Sequence, residues 1–254
     1  MTALLATEAL TMRFGGVCAV DAVSLRVADG ELRCLIGPNG AGKSTFFKCL
    51  TGQLKPTAGR ILWRGRDVTG FDPHRIARLG VGIKTQVPSL FDGLTVLEGV
   101  ALALSRTHRE IEARRRALAT LARLGIEALA PRPVGLLAHG QRQLVELAMV
   151  VAPEPPLIIL DEPTAGMSAE ETERTAALLR ELNRRHTIVV VEHDMQFIRA
   201  IARTVTVFHQ GRVLIEDSVD RVLADERVQD VYLGRPVAAA APVAPVGPVG
   251  PVMP

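Results

Sequence analysis

The residues best suited to chemistry are nine consecutive positions, Gly37-Pro38-Asn39-Gly40-Ala41-Gly42-Lys43-Ser44-Thr45. They match the pattern G-x-x-x-x-G-K-[S/T], in which glycines let successive backbone N–H groups surround a phosphate. Lys43 adds a positive charge for the β- and γ-phosphates, Ser44 offers a hydroxyl to Mg²⁺, and Thr45 lies beside the phosphates. An ordinary glycine-rich turn before an amphipathic helix is the alternative. The pattern predicts a triphosphate-binding loop, called the phosphate loop below.

The sequence on either side of the phosphate loop supplies the elements that must position it. Residues 32–36 form a short apolar run suited to a buried strand, and residues 44–50 lack Gly and Pro and predict a helix. The N-terminus of that helix would direct its positive dipole end at the same phosphates. Strand, glycine loop and helix in this order are the context that the motif requires.

Polar residues also follow two other apolar runs. Asp161 and Glu162 come after residues 157–160, and His193 comes shortly after residues 187–191. Because ligands bind at the carboxyl edge of parallel strands, Asp161 suits the Mg²⁺ shell and Glu162 suits the polarisation of an attacking water. His193 would contact the γ-phosphate from the neighbouring strand. Taken singly, the two acids could instead cap the next turn, and the histidine could be structural.

Length and composition restrict the class of protein. A chain of 254 residues suffices for one large α/β domain with a small inserted subdomain. The net charge of +3 gives no electrostatic case for nucleic acid. Cys18, Cys34 and Cys49 show no paired spacing, and the last two lie in apolar runs, so we expect small core residues of a reducing compartment. Without an apolar run of membrane-spanning length or a signal peptide, we expect a soluble, cytosolic protein.

The remaining chain alternates strands and helices. Apolar–polar alternation in residues 3–36, broken at Gly15-Gly16, predicts an antiparallel layer at the edge of the fold. Helical spacing from residue 95 onward predicts a helical insert of about 87–150. Ser168 is a predicted N-cap. Residues 236–254 are almost entirely Pro, Ala, Val and Gly, and we expect them to be disordered.

Six motifs resemble those of ABC transporter ATPase subunits, and along the chain they follow the order of that family over residues 4–234. The phosphate loop and the run ending at Asp161-Glu162 stand where the family has its two Walker motifs. Phe14 stands where an aromatic stacks on adenine, and His193 stands where the family has its switch histidine. Gln86 stands at the Q-loop glutamine, which implies a role in sensing Mg²⁺ and water and in contacting the membrane partner.

A further motif of the resemblance is the signature segment, Leu137-Ala138-His139-Gly140-Gln141, which stands where the family has L-S-G-G-Q. The resemblance implies that Ala138, His139, Gly140 and Gln141 contact ATP from across a head-to-tail dimer. Ala138 replaces the serine, so its hydroxyl contact is absent. His139 replaces a glycine, and it is either a neutral structural residue or a residue that contacts the nucleotide. The D-loop, residues 165–168, reads A-G-M-S rather than S-A-L-D, which puts the usual aspartate in doubt.

The resemblance implies an α/β P-loop NTPase fold of the ABC ATPase type over residues 1–235, with an antiparallel β edge layer and a helical subdomain. It implies ATP and Mg²⁺ as cofactors, catalytic roles for three residues (Glu162, His193 and Gln86) and metal roles for three (Ser44, Gln86 and Asp161). It also implies a homodimer or a heterodimer with a sister ATPase, integral membrane permease subunits, indirect dependence on a solute-binding protein, and a cytoplasmic location on the inner face of the membrane.

Details of the motifs also point to a subfamily. Four short segments resemble the ATPases of importers for branched-chain amino acids and for urea. They read L-A-H-G-Q, A-G-M-S, V-E-H-D-M and V-Y-L-G-R. A related exporter ATPase, such as one for lipopolysaccharide extraction, is the alternative. A soluble ABC protein of DNA repair or translation is a third hypothesis, but such proteins usually carry two cassettes or a long coiled-coil insert, and this sequence has neither.

Overall fold

The computed structural model describes residues 3–86 and 90–232. The chain divides into two compact units, and the first consists of residues up to Ile76 together with those from Ala202 onward. The second unit is Ala77–Ile201. The predicted disordered tail at 236–254 and the first residues of the predicted helical insert, 87–89, lie outside the described residues.

The described elements alternate strands and helices as the sequence predicts. The strands are β1 (Leu5–Phe14), β2 (Val17–Val27), β3 (Leu32–Ile36), β4 (Ala58–Trp63), β5 (Arg66–Asp67), β6 (Val81–Lys84), β7 (Leu157–Asp161), β8 (Thr187–Val191), β9 (Thr204–His209) and β10 (Arg212–Ser218). The α-helices are α1 (Lys43–Leu50), α2 (Pro73–Arg78), α3 (Val96–Leu104), α4 (Glu110–Arg123), α5 (His139–Val151), α6 (Ala169–Leu182), α7 (Met195–Ile201), α8 (Val219–Ala224) and α9 (Glu226–Tyr232).

The first unit contains the antiparallel layer that the alternating pattern predicts. Its strands pair in the order β2-β1-β4-β5, and β1 turns into β2 at the double glycine. The β2 strand begins at Val17, directly after the double glycine. In the same unit β3 pairs in parallel with β9, and β9 forms an antiparallel hairpin with β10. All five residues of β3 are buried, so the apolar run before the phosphate loop is a core strand.

The second unit contains three parallel strands in the order β6-β7-β8. Every residue of β7 and β8 is buried, as expected for continuous apolar runs in a parallel sheet. Helices α3, α4 and α5 lie between β6 and β7 in the chain and pack on one another. Helix α7 was not expected from the sequence, and α6 ends where the chain turns at Asn183.

Two capping boxes explain where the longer helices of the second unit begin. The Thr95 hydroxyl accepts from the Glu98 N–H before α3, and Glu98 accepts in return from the Thr95 N–H. The Ser168–Glu171 pair does the same before α6, which confirms Ser168 as the predicted N-cap. None of the helices in residues 3–86 and 90–232 combines the length and hydropathy needed to span a bilayer.

Candidate functional site

The phosphate loop joins β3 to α1 in the first unit, with backbone angles that only glycine adopts easily. Gly42 caps α1 with φ of 101°, and Gly37 has φ of 144°. A Cβ on Gly37 would collide with the Phe208 carbonyl oxygen, and one on Gly42 would collide with the Ala19 carbonyl oxygen. Two of the pattern's glycines are therefore required both by backbone angle and by close packing.

Lys43 is the first residue of α1, and its side chain folds back over the loop. Its Nζ donates hydrogen bonds to the carbonyl oxygens of Gly37, at 2.6 Å, and Pro38, at 3.0 Å. This places a cation at the N-terminal end of a helix, where N–H groups and the helix dipole also favour an anion. Ser44 and Thr45 follow in the first turn, and Ser44 is exposed. The loop thus has the donor chemistry that a phosphate chain needs.

Phe14 and Tyr232 are aromatic residues of the same unit as the loop. Phe14 ends β1 and is 47% exposed, so one of its faces is accessible for the predicted stacking on adenine. Tyr232, at the end of α9, was not predicted to approach the loop. Burial raises the pKa of Tyr232 to about 12, although a hydrogen bond between its hydroxyl and the Gly37 backbone opposes the rise. The sequence analysis identified Tyr232 only as part of V-Y-L-G-R, the segment that resembles the end of the family's chain.

The predicted acidic pair lies at the carboxyl end of β7 in the second unit. Asp161 is the last residue of the strand and is buried, with 7% of its surface exposed. Glu162 follows in the left-handed region at φ of 47°, which is uncommon for a residue with a side chain. Its backbone N–H donates to the Val191 carbonyl oxygen at 2.9 Å, which joins it to the end of β8. Strained backbone of this kind is concentrated at functional sites.

The three predicted catalytic residues meet at this edge. The Gln86 amide donates from Nε2 to Oε2 of Glu162 at 2.8 Å. Nδ1 of His193 lies 3.6 Å from the other carboxylate oxygen, Oε1 of Glu162. The Glu162 carboxylate is therefore held between an amide and an imidazole, and each comes from the end of a different strand. We call Gln86, Glu162 and His193 the catalytic edge.

Glu192 supports the catalytic edge, and the sequence did not single it out. Its carboxylate is 2% exposed and accepts hydrogen bonds from the Thr164 hydroxyl and from the backbone N–H of His193, the latter at 2.9 Å. The turn after β7 and the turn after β8 are thereby joined through one buried side chain. An acid directly after a buried strand was the only indication available in the sequence.

The signature segment forms the start of α5, and its helix N-terminus is exposed. Ala138 is the N-cap, and the Gln141 side chain accepts from its backbone N–H at 3.2 Å. Nε2 of His139 lies 2.9 Å from the carbonyl oxygen of Ala165 in the D-loop. This contact within the chain gives His139 a structural partner, and its predicted contact with nucleotide stays a prediction.

The residues predicted to hold a metal suit Mg²⁺ in their chemistry. Asp161 offers carboxylate oxygen, Ser44 hydroxyl oxygen and Gln86 amide oxygen, which are the hard ligands that Mg²⁺ prefers. No group of three or more His, Cys, Asp or Glu side chains that could hold a metal occurs in the described parts of the chain.

Comparison with known proteins relates the whole cassette to one family. The model of the ABC transporter family matches residues 20–165. The chain is 38% identical to the high-affinity branched-chain amino acid transport ATP-binding protein LivG of Salmonella typhimurium, over 91% of this chain and 98% of LivG. It is 41% identical to the cobalt import ATP-binding protein CbiO of Rhodobacter capsulatus, over 89% of this chain and 82% of CbiO.

Solved structures give the same result. MJ1267, an ATP-binding cassette of an ABC transporter, matches with a TM-score of 0.84 and 27% identity, over 91% of this chain and 99% of that chain. The cassette MJ0796, solved as a dimer in a post-hydrolysis state bound to ADP and phosphate, matches with a TM-score of 0.76 and 29% identity, over 85% of this chain and 98% of that chain.

Proposed function

This chain belongs to the ATP-binding proteins of ABC transporters, and we propose that its hydrolysis of ATP energises the import of branched-chain amino acids. The observation that carries the hydrolytic role is the Glu162 carboxylate held between Gln86 and His193. The substrate class is supported by the match to nearly the full length of LivG, which is a branched-chain amino acid transport protein.

The residues of the first unit bind the nucleotide in this proposal. Backbone N–H groups of residues 37–42 and the Lys43 ammonium hold the phosphates, and Phe14 stacks on the adenine ring. Ser44 would supply a hydroxyl oxygen to Mg²⁺. When bound, Mg²⁺ neutralises charge that develops on the phosphates during transfer.

The residues of the catalytic edge act on the attacking water. Glu162 accepts a proton from the water as the general base, a role that contributes about 10²–10⁴-fold to the rates of enzymes. Gln86 and His193 fix the direction of the Glu162 carboxylate, because each faces a different oxygen. His193 is 65% exposed, so its ring is also accessible to a γ-phosphate.

The remaining machinery in the proposal comes from partners. Two copies of the chain, or this chain and a sister ATPase, face head to tail, and the signature segment completes the site of the other subunit. Its exposed helix N-terminus offers N–H donors without the serine hydroxyl that Ala138 lacks. Permease subunits at the cytoplasmic face of the membrane receive the resulting movement, and a solute-binding protein delivers the amino acid to them.

Urea and cobalt are two other candidate solutes, and the uptake experiment below tests them together with amino acids. Urea follows from the sequence motifs, and cobalt follows from the 41% identity with CbiO. The ATPase does not touch the solute, so its own residues discriminate weakly among them. An export role, as in lipopolysaccharide extraction, is separated from all three by the direction of transport.

Uptake in a strain that lacks this chain tests the proposal. We expect the deletion to abolish high-affinity uptake of labelled leucine, isoleucine and valine, and to leave uptake of labelled urea and cobalt unchanged. The intact gene should restore amino acid uptake, whereas a Lys43→Ala gene should not, because the phosphates lose their cation. Loss of urea or cobalt uptake with normal leucine uptake would contradict the proposed substrate.

A further inference from the structure

His139 is the residue of the signature segment that departs most from the family pattern, and its side chain faces the D-loop of its own chain. The ring nitrogen Nε2 lies 2.9 Å from the Ala165 carbonyl oxygen. A Cβ on the next residue, Gly166, would lie only 3.0 Å from the ring atoms Cδ2 and Nε2 of His139. The imidazole therefore packs directly against residues 165–166.

The contact determines the tautomer of His139. A carbonyl oxygen only accepts hydrogen bonds, so Nε2 must carry the hydrogen that it donates to Ala165. The buried Gln143 side chain, one turn further along α5, places its amide nitrogen 3.3 Å from the same Nε2. An Nε2–H group cannot accept from that nitrogen, so the Nε2–H form of His139 requires the Gln143 amide to be turned with its oxygen towards the ring.

A second contact joins the same two segments. A Cβ on Gly140 would collide with the Glu171 carboxylate, near the start of α6. That carboxylate is not free to move aside, because its Oε2 accepts from the Ser168 N–H at 2.9 Å in the capping box of α6. The glycine therefore lets the start of α5 approach the start of α6 while the cap stays intact.

We propose that His139 is a positioning residue that fixes the signature segment to the D-loop of the same chain through its Nε2–H and the Ala165 carbonyl. The proposal rests on the proposed function, in which the signature segment acts on ATP held by another subunit. A fixed pair of segments reaches that ATP as one body. The His139 side chain joins the signature segment to the D-loop within one chain. Neither Ala138 nor Ser168, the other departures from the family pattern, makes such a contact.

The first experiment compares three substitutions by steady-state ATP hydrolysis and by nucleotide binding to the purified chain. His139→Leu removes the donor, and we expect kcat to fall about three- to tenfold, as for the loss of one hydrogen bond in the transition state. His139→Gln places an amide N–H near the position of Nε2 and should recover most of kcat. His74→Leu, on the exposed helix α2, is the matched control and should behave as the unchanged chain.

The readouts separate positioning from simple loss of structure. We expect the dissociation constant of the isolated chain for ATP to be the same for His139→Leu and the unchanged chain, because the phosphate loop binds in its own unit. Equal kcat for all variants would overturn the proposal, and so would a His139→Gln enzyme as slow as His139→Leu. Failure of the unchanged chain to hydrolyse ATP would instead contradict the proposed function.

Nuclear magnetic resonance of the imidazole nitrogens tests the contact without any activity. In the chain labelled with ¹⁵N at histidine, we expect the His139 ring to be in the Nε2–H form when neutral. Assignment of the ring signals by comparison with His139→Gln identifies the residue. A ring found in the Nδ1–H form would overturn the proposal, because such a ring cannot donate to Ala165.

Discussion

The phosphate loop is formed by the backbone, whereas the catalytic edge is formed by side chains. The loop is a property of the backbone, because Gly37 and Gly42 take positive φ angles in places where no Cβ fits. The catalytic edge is a property of side chains, because Gln86, Glu162 and His193 come from three strand ends and meet through their polar atoms. The loop should therefore fail through strain, and the edge through lost charge or lost hydrogen bonds.

The largest expected effect comes from removing the base at the catalytic edge. Glu162→Gln keeps the shape of the side chain and abolishes its proton affinity, and we expect ATP hydrolysis to fall about 10²–10⁴-fold. ATP binding and nucleotide-dependent dimerisation should remain, because the phosphate loop is unchanged. Phosphate release is the measurement, with exposed Glu170→Gln on α6 as the matched control. Normal turnover in Glu162→Gln would remove Glu162 from its proposed role.

A buried ion pair in the unit that contains the catalytic edge tests how far the stability of the fold depends on charge. Lys84 ends β6, two residues before Gln86, and its Nζ lies 3.3 Å from Oε2 of Glu146 on α5. Both side chains are almost completely buried. Lys84→Met removes the cation beside a buried carboxylate, and we expect the free energy of unfolding to fall by about 3–5 kcal/mol.

A double substitution shows whether the loss of the Lys84 cation beside the buried carboxylate is the cause. Lys84→Met combined with Glu146→Leu replaces the pair by apolar side chains, and such replacements are often neutral or stabilising. We expect urea denaturation to show that the double variant regains most of the lost stability. A double variant less stable than Lys84→Met alone would show that packing, rather than charge, holds β6 against α5.

A graded glycine series tests the contribution of the backbone to the phosphate loop. Gly42→Ala meets both a φ of 101° and a collision with the Ala19 carbonyl oxygen, whereas Gly40→Ala meets φ of 78° with open space around it. The angle alone costs about 1–2 kcal/mol, so Gly42→Ala should cost more than Gly40→Ala. Gly16→Ala, which has neither problem, is the control. The losses of unfolding free energy and of ATP affinity should be largest for Gly42→Ala, smaller for Gly40→Ala and smallest for Gly16→Ala. Equal losses at positions 40 and 42 would contradict the packing argument.

The same difference explains how far the sequence could predict this protein. The phosphate loop is local, so its glycines, its lysine and the flanking strand and helix could be recognised from consecutive residues. The acids and His193 could be assigned to strand ends from apolar runs, and Gln86 only from resemblance. The contacts of His139 with Ala165 and of Tyr232 with the loop backbone join segments distant in sequence, and no local pattern specifies such packing. The helix α7 has only seven residues, which is too short a stretch for its periodicity to stand out from the sequence, so it too was missed.

The smallest expected effect concerns a histidine at the opposite end of the strand that leads to His193. His186 precedes β8 and is 4% exposed, and its Nδ1–H donates to the Pro155 carbonyl oxygen at 2.7 Å. Burial lowers the pKa of His186, Arg123 and Arg185 lower it further, and the Pro155 hydrogen bond and Glu154 oppose them. The folded chain therefore binds this proton less readily than the unfolded chain does.

The sign of the pH dependence follows from that lowered pKa. Above the unfolded value of about 6.5, His186 is neutral in both states and costs no stability. As the pH falls from there towards the lowered folded pKa, the unfolded chain gains the proton first, and stability falls by at most about 1.4 kcal/mol per pH unit for this one group. Urea denaturation at pH 7.5 and 5.5 should show a smaller acid-induced loss in His186→Asn, which keeps an N–H for Pro155 but does not titrate. An identical loss in both proteins would mean that charge at this end of β8 does not control the stability of the unit.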